Sequence, residues 1–155
     1  MTPRLTRSDY EANKGAGNKR AMRALVDAGE TPGVIAFDGE APVAWCSLGP
    51  RSGFGSLARS RILKPVDDRE VWSIVCLFVA KAARRKGVSI KIIDAACDYA
   101  ALRGATCMEG YPVEPKKDDM PPVFAYTGIA SAYLAAGFHE VARRSETRPI
   151  MRREL

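Results

Sequence analysis

An apolar run at residues 70–79, Glu-Val-Trp-Ser-Ile-Val-Cys-Leu-Phe-Val, constrains the fold more than any other part of this sequence. It is apolar on both faces, which is typical of a strand at the centre of a covered sheet. After a basic stretch, residues 87–103 repeat apolar side chains at helical spacing, and residues 105–111 form a second short apolar run. A strand, a crossover helix and a second strand in this order predict a parallel pair inside a mixed α/β fold.

Further elements are predicted on both sides of this pair. Residues 33–38 and 41–48 form a hairpin, because the Asp38-Gly39 pair between them is a two-residue turn signal. Residues 128–136 predict a short helix, and residues 138–151 predict one or two closing strands. Two irregular connections remain, at residues 49–69 and 112–126.

The N-terminal part predicts helix rather than strand. Residues 8–28 form a helical stretch in which Ser8 is the predicted N-cap, with Glu11 three residues later. Gly15 and Gly17 are expected to break it into two pieces.

Length and composition set broad limits on function. The 155 residues predict a single domain over residues 1–155, with no apolar run long enough for a membrane helix. The net charge of +6 favours an anionic partner, either nucleic acid or a phosphate-bearing cofactor. Four scattered cysteines predict buried, reduced thiols in a cytoplasmic protein. His139 is the only histidine, so we expect no histidine-based triad and no metal site.

The basic stretch after the central strand carries the main functional signal. Arg84-Arg85-Lys86-Gly87-Val88-Ser89 combines a helix N-terminus, a glycine and three consecutive cations, which together suit a diphosphate group. A solvated basic turn is the alternative interpretation. The spacing matches neither the phosphate-binding loop of nucleoside triphosphatases nor the dinucleotide-binding fingerprint.

Two segments resemble the acetyltransferases of the GNAT superfamily. Val79 to Ser89 is similar to the acetyl-CoA signature of that family, with Arg84, Gly87 and Ser89 at its three defining places. Ser89 replaces the usual glycine or alanine, and Lys81 stands where a proline is common. The second segment, Tyr133-Leu134-Ala135-Ala136-Gly137-Phe138, resembles the family's Tyr-x-x-x-Gly-Phe motif.

The resemblance implies a GNAT-like fold, a mixed sheet whose two central parallel strands splay apart between flanking helices. Family members begin with a strand before the first helices, and here that strand is missing or truncated. The strand at 33–38 would then lie at the sheet edge with unpaired backbone groups. We expect this edge to be covered by the N-terminal residues or by a second subunit, so that a homodimer is one predicted arrangement.

The resemblance also implies a reaction. Acetyl-CoA would serve as co-substrate, and the primary amine of a small-molecule or peptide acceptor would attack the thioester directly. The pantetheine arm would pair with the backbone of Leu77, Phe78 and Val79, and an N–H near Leu77 would polarise the acetyl oxygen. The expected diphosphate site comprises Arg84, Arg85, Lys86, Gly87, Val88 and Ser89.

Two residues are candidates for proton transfer. By its place in the motif, Tyr133 would protonate the departing thiolate, whereas the other interpretation is a packed helical tyrosine. Glu109 lies among small and apolar residues, where burial would raise the pKa of a general base. A structural carboxylate paired with an arginine is the favoured interpretation of Glu109, and a water chain would suffice to deprotonate the amine.

Two other functional classes stay open. A non-catalytic CoA-binding or regulatory module would have the same cofactor loop on the same fold. A nucleic-acid-binding domain would use the basic C-terminal segment, but no aromatic residues interleave there for base stacking, which makes this reading less favoured. The basic residues of that segment are Arg143, Arg144, Arg148, Arg152 and Arg153.

Overall fold

The computed structural model describes residues 4–115 and 122–155, which form one six-stranded mixed sheet with helices against it. The order in the sheet is β1-β2-β3-β4-β6-β5, and every neighbouring pair is antiparallel except β3 with β4. The strands are β1 Gly33–Asp38, β2 Ala41–Pro50, β3 Trp72–Val79, β4 Cys107–Gly110, β5 His139–Arg143 and β6 Pro149–Glu154.

The long helices lie where local sequence signals place them, but α3 lies within the predicted irregular connection 49–69, α5 begins at Ala130 rather than at residue 128, and the N-terminal cap differs. Thr6 rather than Ser8 caps the first helix, because the Thr6 hydroxyl accepts the backbone N–H of Asp9. The predicted break falls at Gly15, and Gly17 lies inside the second helix. The helices of the described ranges are α1 Arg7–Ala12, α2 Ala16–Asp27, α3 Gly55–Ala58, α4 Val88–Leu102 and α5 Ala130–Ala135.

Each face of the sheet has its own core. The larger core joins the sheet to α4 and α5 through buried residues such as Ile74, Ile93 and Tyr133. The smaller core, around Phe54 and Tyr111, lies where the connection between β2 and β3 covers the opposite face. This double cover explains why β3 is apolar on both sides, as the sequence predicted. Within the described ranges, no helix has the length and apolarity needed to span a bilayer.

The two parallel strands stay together for only three residues. Trp72, Ser73 and Ile74 of β3 pair with residues 108–110 of β4. On its other side β3 carries an additional residue, Val75, because Ser47 pairs with Cys76 while Leu48 pairs with Ile74. Such a bulge bends a strand and increases its twist. Beyond Val75, β3 stays paired with β2 but has no strand partner on the β4 side, and a gap opens there.

The first strand of the sheet, β1, has an open outer edge. No strand precedes it among the described residues, and none of residues 4–32 donates or accepts a backbone hydrogen bond with it on that edge. Its side chains Ile35 and Phe37 are 52% and 60% exposed. The described N-terminal residues therefore do not cover this edge.

Candidate functional site

A cavity of about 830 Å³ lies where β3 leaves β4. Its walls are the second half of β3, the basic turn before α4 and the segment that leads into α5. The residues that line it are Cys76, Leu77, Phe78, Val79, Ala83, Arg84, Arg85, Val88, Ser89, Pro115, Ala125, Tyr126, Gly128, Ile129 and Ser131. The cavity thus joins seven of the nine predicted cofactor-binding residues, and only Lys86 and Gly87 are absent from its wall.

The basic turn at one end of the cavity has an unusual backbone with free N–H groups. Arg85 and Gly87 adopt left-handed backbone conformations, with φ of 61° and 74°. No hydrogen bond to another described residue uses the backbone N–H of any residue from 85 to 89, and α4 has no side-chain N-cap. Successive free N–H groups in such a turn, at the positive end of a helix, form a concave site for phosphate.

Arg84 holds this turn against the end of β3. Its Nε donates to the carbonyl oxygen of Val79 over 3.0 Å. This bond satisfies the last carbonyl of the strand and fixes the distance between the strand and the turn. Lys86 is exposed beside the turn and adds charge.

At the other end of the cavity, the backbone of β3 is already hydrogen-bonded within the chain. The N–H of Leu77 donates to the carbonyl oxygen of Tyr126 over 2.7 Å. The neighbouring Phe78 side chain is 54% exposed and lines the cavity.

Tyr133 lies directly behind the wall of the cavity rather than on its surface. Its ring is fully buried, packs edge-on against Phe138 with ring centroids 5.0 Å apart, and lies so close to Gly110 that a Cβ there would be 2.1 Å from it. Its hydroxyl donates to the carbonyl oxygen of Thr127 over 3.1 Å. Burial raises the pKa of Tyr133 well above its usual value, so the hydroxyl keeps its proton at neutral pH.

Glu109 lies in a buried polar network on the opposite face of the sheet, away from the cavity wall. One carboxylate oxygen accepts the Tyr111 hydroxyl over 2.6 Å, and the other accepts Nε of Arg152 over 2.8 Å. Arg152 also binds both oxygens of Asp67 and lowers the pKa of that carboxyl to about 2. These contacts match the structural interpretation of Glu109.

The remaining sequence candidates have ordinary surroundings. Burial raises the pKa of Cys46 and Cys76, and Cys97 reaches a pKa of about 12, so these thiols stay protonated at neutral pH. Among the described residues, no group of three or more histidine, cysteine and acidic side chains is placed to hold a metal ion. His139 is exposed at the start of β5.

Sequence reasoning missed the contacts of three residues at or beside the cavity wall: Tyr126, Thr127 and Arg148. The first two supply the carbonyls that bind Leu77 and Tyr133. Arg148 donates to the Thr127 hydroxyl over 2.9 Å, and its guanidinium lies 5.9 Å from the centre of the Tyr126 ring. The local signal was the Tyr-Thr-Gly triplet at residues 126–128, where the predicted irregular stretch ends and the predicted helix begins.

Comparison with known proteins agrees with this geometry. The sequence profile described as "Acetyltransferase (GNAT) family" matches residues 3–115. No curated protein matches the sequence.

Several solved structures share the fold at low sequence identity. PaiA N-acetyltransferase from Thermoplasma acidophilum, in complex with coenzyme A, is 13% identical with a TM-score of 0.57, covering 97% of this chain and 80% of its own. Phosphinothricin acetyltransferase from Sinorhizobium meliloti, in complex with acetyl-CoA, is 15% identical with a TM-score of 0.55. The match covers 91% of this chain and 70% of the other. Ribosomal-protein-alanine N-acetyltransferase from Brucella melitensis is 15% identical with a TM-score of 0.55. The match covers 89% of this chain and 76% of the other.

The buried network of Glu109 predicts a large stability effect at Arg152. Arg152→Met should lower the free energy of unfolding by about 3 kcal/mol, because it removes the cation that is hydrogen-bonded to the buried Glu109 carboxylate and leaves only Arg51, 3.8 Å away. Urea unfolding measures this change. Arg69→Met is the control. The Arg69–Glu154 pair is exposed, so this variant should lose less than about 1 kcal/mol in free energy of unfolding. Equal losses in the two variants would show that Glu109 does not depend on Arg152.

Proposed function

Since the chain belongs to the acetyltransferase (GNAT) family and is an acyltransferase, we propose that it transfers an acetyl group from acetyl-CoA to a primary amine. One observation carries the proposal: a single cavity joins the turn with free N–H groups to the gap beside β3. A diphosphate at one end and a thioester at the other would use both ends of that cavity.

The residues present fit acetyl-CoA as the co-substrate. The backbone N–H groups of residues 85–89 would hold the diphosphate, with Arg85 and Lys86 adding charge. The apolar wall formed by Leu77, Phe78, Val79 and Val88 suits the pantetheine arm. Arg84 would act as the support of the turn through its bond to Val79, rather than as a free cation.

We propose direct transfer in a ternary complex. The acceptor nitrogen attacks the thioester carbonyl carbon, the carbon–sulfur bond breaks, and the acetyl group passes to the amine without a covalent enzyme intermediate. The Leu77 N–H would stabilise the negative charge that develops on the acetyl oxygen. Holding both substrates in one cavity would supply much of the acceleration.

Proton transfers are assigned to Tyr133 and to solvent. Tyr133 keeps its proton at neutral pH because of burial, so it can donate that proton to the leaving thiolate. Glu109 is fully engaged with Arg152 and Tyr111, so we propose a positioning role for it and assign deprotonation of the amine to water.

The acceptor is proposed as a small molecule or a peptide that carries a primary amine. Two of the similar structures are named for phosphinothricin and for a ribosomal protein, which are acceptors of very different size. One scaffold therefore supports both classes.

A non-catalytic CoA-binding module is the second candidate. It is favoured by the fact that the Leu77 N–H and the Tyr133 hydroxyl are both hydrogen-bonded within the chain. A thiol-release assay across a panel of amines separates the two candidates. Release above the background hydrolysis rate supports transfer, whereas acetyl-CoA binding without release with any amine supports the module.

Gly87 is the test of the diphosphate site. Gly87→Asp should abolish acetyl-CoA binding, because it places a carboxylate beside the free N–H groups and forces a side chain into a left-handed conformation. Calorimetry measures the affinity. Gly104→Asp is the matched control, since Gly104 follows the other end of α4 with φ of 84° and should cost stability without loss of binding. Wild-type affinity in a folded Gly87→Asp variant would refute the site.

Tyr133 is the test of the proposed acid. Tyr133→Phe should lower kcat by about 10²–10⁴-fold and leave acetyl-CoA affinity nearly unchanged, because the ring still packs but the proton donor is gone. Steady-state kinetics with an accepted amine measure both quantities. Tyr99→Phe on α4 removes a hydroxyl that bonds to Arg103 and Thr31, neither of which lines the cavity, and should leave kcat unchanged. An unaltered kcat in Tyr133→Phe would assign Tyr133 to packing alone.

The open edge of β1 leads to a proposal about assembly. A second copy would pair with this edge, because it exposes unpaired backbone groups together with Ile35 and Phe37. Light scattering at micromolar concentration should then give a molecular mass twice that of one chain, which is 16.9 kDa. Phe37→Lys should shift the mass toward the monomer, whereas Leu102→Lys, at an exposed site on α4, should not. A monomeric wild type would reject the dimer.

A further inference from the structure

One short segment binds both chemical groups that the proposed reaction requires. The segment Ala125–Gly128, which we call the plug, presents two successive carbonyl groups toward the core. The carbonyl oxygen of Tyr126 accepts the Leu77 N–H over 2.7 Å, and that of Thr127 accepts the Tyr133 hydroxyl over 3.1 Å. We propose that the plug occupies the place of the acetyl thioester, that acetyl-CoA displaces it, and that Arg148 sets its strength; this rests on the proposed function.

The plug and the thioester compete for the same donors. A backbone N–H is one donor, so Leu77 cannot serve the Tyr126 carbonyl and an acetyl oxygen with two full-strength bonds. The Tyr126 carbonyl lies at hydrogen-bonding distance from Leu77, where an acetyl oxygen would have to lie. Tyr133 faces the same conflict, because its only proton is directed at Thr127 rather than at the cavity.

The plug fits this place because its backbone comes very close to its neighbours. A Cβ on Gly128 would lie 2.9 Å from the Tyr133 ring and 3.0 Å from the Leu77 side chain. Gly128 also has φ of 84°, and its N–H closes a tight turn onto the carbonyl of Ala125 over 2.8 Å. Only glycine satisfies both the conformation and the space. The turn therefore enters the gap as bare backbone.

One arginine contacts two side chains of the plug, the exposed Tyr126 and the buried Thr127. The Tyr126 side chain is 53% exposed at the cavity wall, so its withdrawal would uncover little buried apolar surface. Arg148 donates to the Thr127 hydroxyl and places its guanidinium over the Tyr126 ring. These two contacts anchor the outer side of the plug. Arg148 is thus a positioning residue that acts through the plug and touches neither Leu77 nor Tyr133.

The plug should lower the apparent affinity for acetyl-CoA. A ligand that binds only the open state has its dissociation constant raised by the reciprocal of the open fraction. Exchange of the Leu77 hydrogen bond from one carbonyl to another changes the free energy little, since one bond replaces a similar one. The contacts of Arg148 have no counterpart in the open state, so they raise the closed fraction; the Val113 N–H, which donates to the Gly128 carbonyl over 2.9 Å, holds the end of the plug as well.

Arg148→Met is the first test, because it removes the hydrogen bond and the ring contact while it keeps an extended side chain. Acetyl-CoA should bind about tenfold more tightly by calorimetry, and the Leu77 amide should exchange faster in the free variant. ADP, which has a diphosphate but no pantetheine arm, should bind both proteins equally. Arg144→Met is the matched control, since Arg144 bonds to the carbonyls of Lys64 and Pro65, away from the plug.

A second measurement uses the wild-type protein and does not depend on the folding of any variant. Through-hydrogen-bond coupling between the Leu77 nitrogen and the Tyr126 carbonyl carbon should be detectable by NMR in the free protein. It should disappear when acetyl-CoA is saturating. Persistence of the coupling in the acetyl-CoA complex would overturn the plug.

The outcomes separate this inference from the proposed function. If wild type binds acetyl-CoA and Arg148→Met binds it with the same affinity and the same Leu77 exchange, the plug is rejected and the transferase proposal stands. If neither protein binds acetyl-CoA, the proposed function fails and the plug fails with it. Tighter binding in Arg148→Met alone, with ADP and Arg144→Met unchanged, supports both.

Discussion

The separation of two parallel strands is the constraint on which the rest of this structure depends. β3 and β4 share a ladder of three residues, and the bulge at Val75 then turns β3 away. Beyond it, the Leu77 N–H has no neighbouring strand to receive it. A buried backbone donor needs a partner, so the gap has to be filled by a ligand or by another part of the chain. The cavity, the basic turn before α4 and the plug all lie along this one gap.

The net charge of +6 is a poor guide to where an anion binds. Arg152 is buried against Glu109 and Asp67, Arg153 pairs with Asp94, and Arg143 pairs with Glu114 and Glu140. These arginines are committed to the interior or to local pairs, which leaves little of the basic C-terminal run for nucleic acid. At the turn before α4 the donors are backbone N–H groups, whose value for phosphate comes from their convergence rather than from net charge.

The elements that the sequence predicted correctly depend on local signals. β1 follows from the Asp38-Gly39 turn signal between two short strand segments, and α4 follows from helical spacing between two glycines. The errors and omissions depend on distant partners. Arg152 binds Asp67, which lies 85 positions away in the sequence. The Tyr126 carbonyl accepts the Leu77 N–H across the gap, and a pattern of side chains carries no information about such a backbone bond. A helix cap at Thr6 instead of Ser8 shows how little separates two neighbouring hydroxyl residues as caps.

The hydrogen-bond donors proposed to act on the thioester are also the donors that would have no acceptor if the gap were empty. Leu77 N–H and the Tyr133 hydroxyl are strong donors because they are removed from water, and for the same reason each costs free energy when it has no acceptor. A chain that fills the gap with its own carbonyls removes that cost and keeps the donors in position. In the proposed reaction the substrate would then meet a competitor of nearly equal hydrogen-bond strength, so the other contacts of the plug would shift the balance. Arg148 is placed to make such contacts, which lets substrate affinity change without any change in Leu77 or Tyr133.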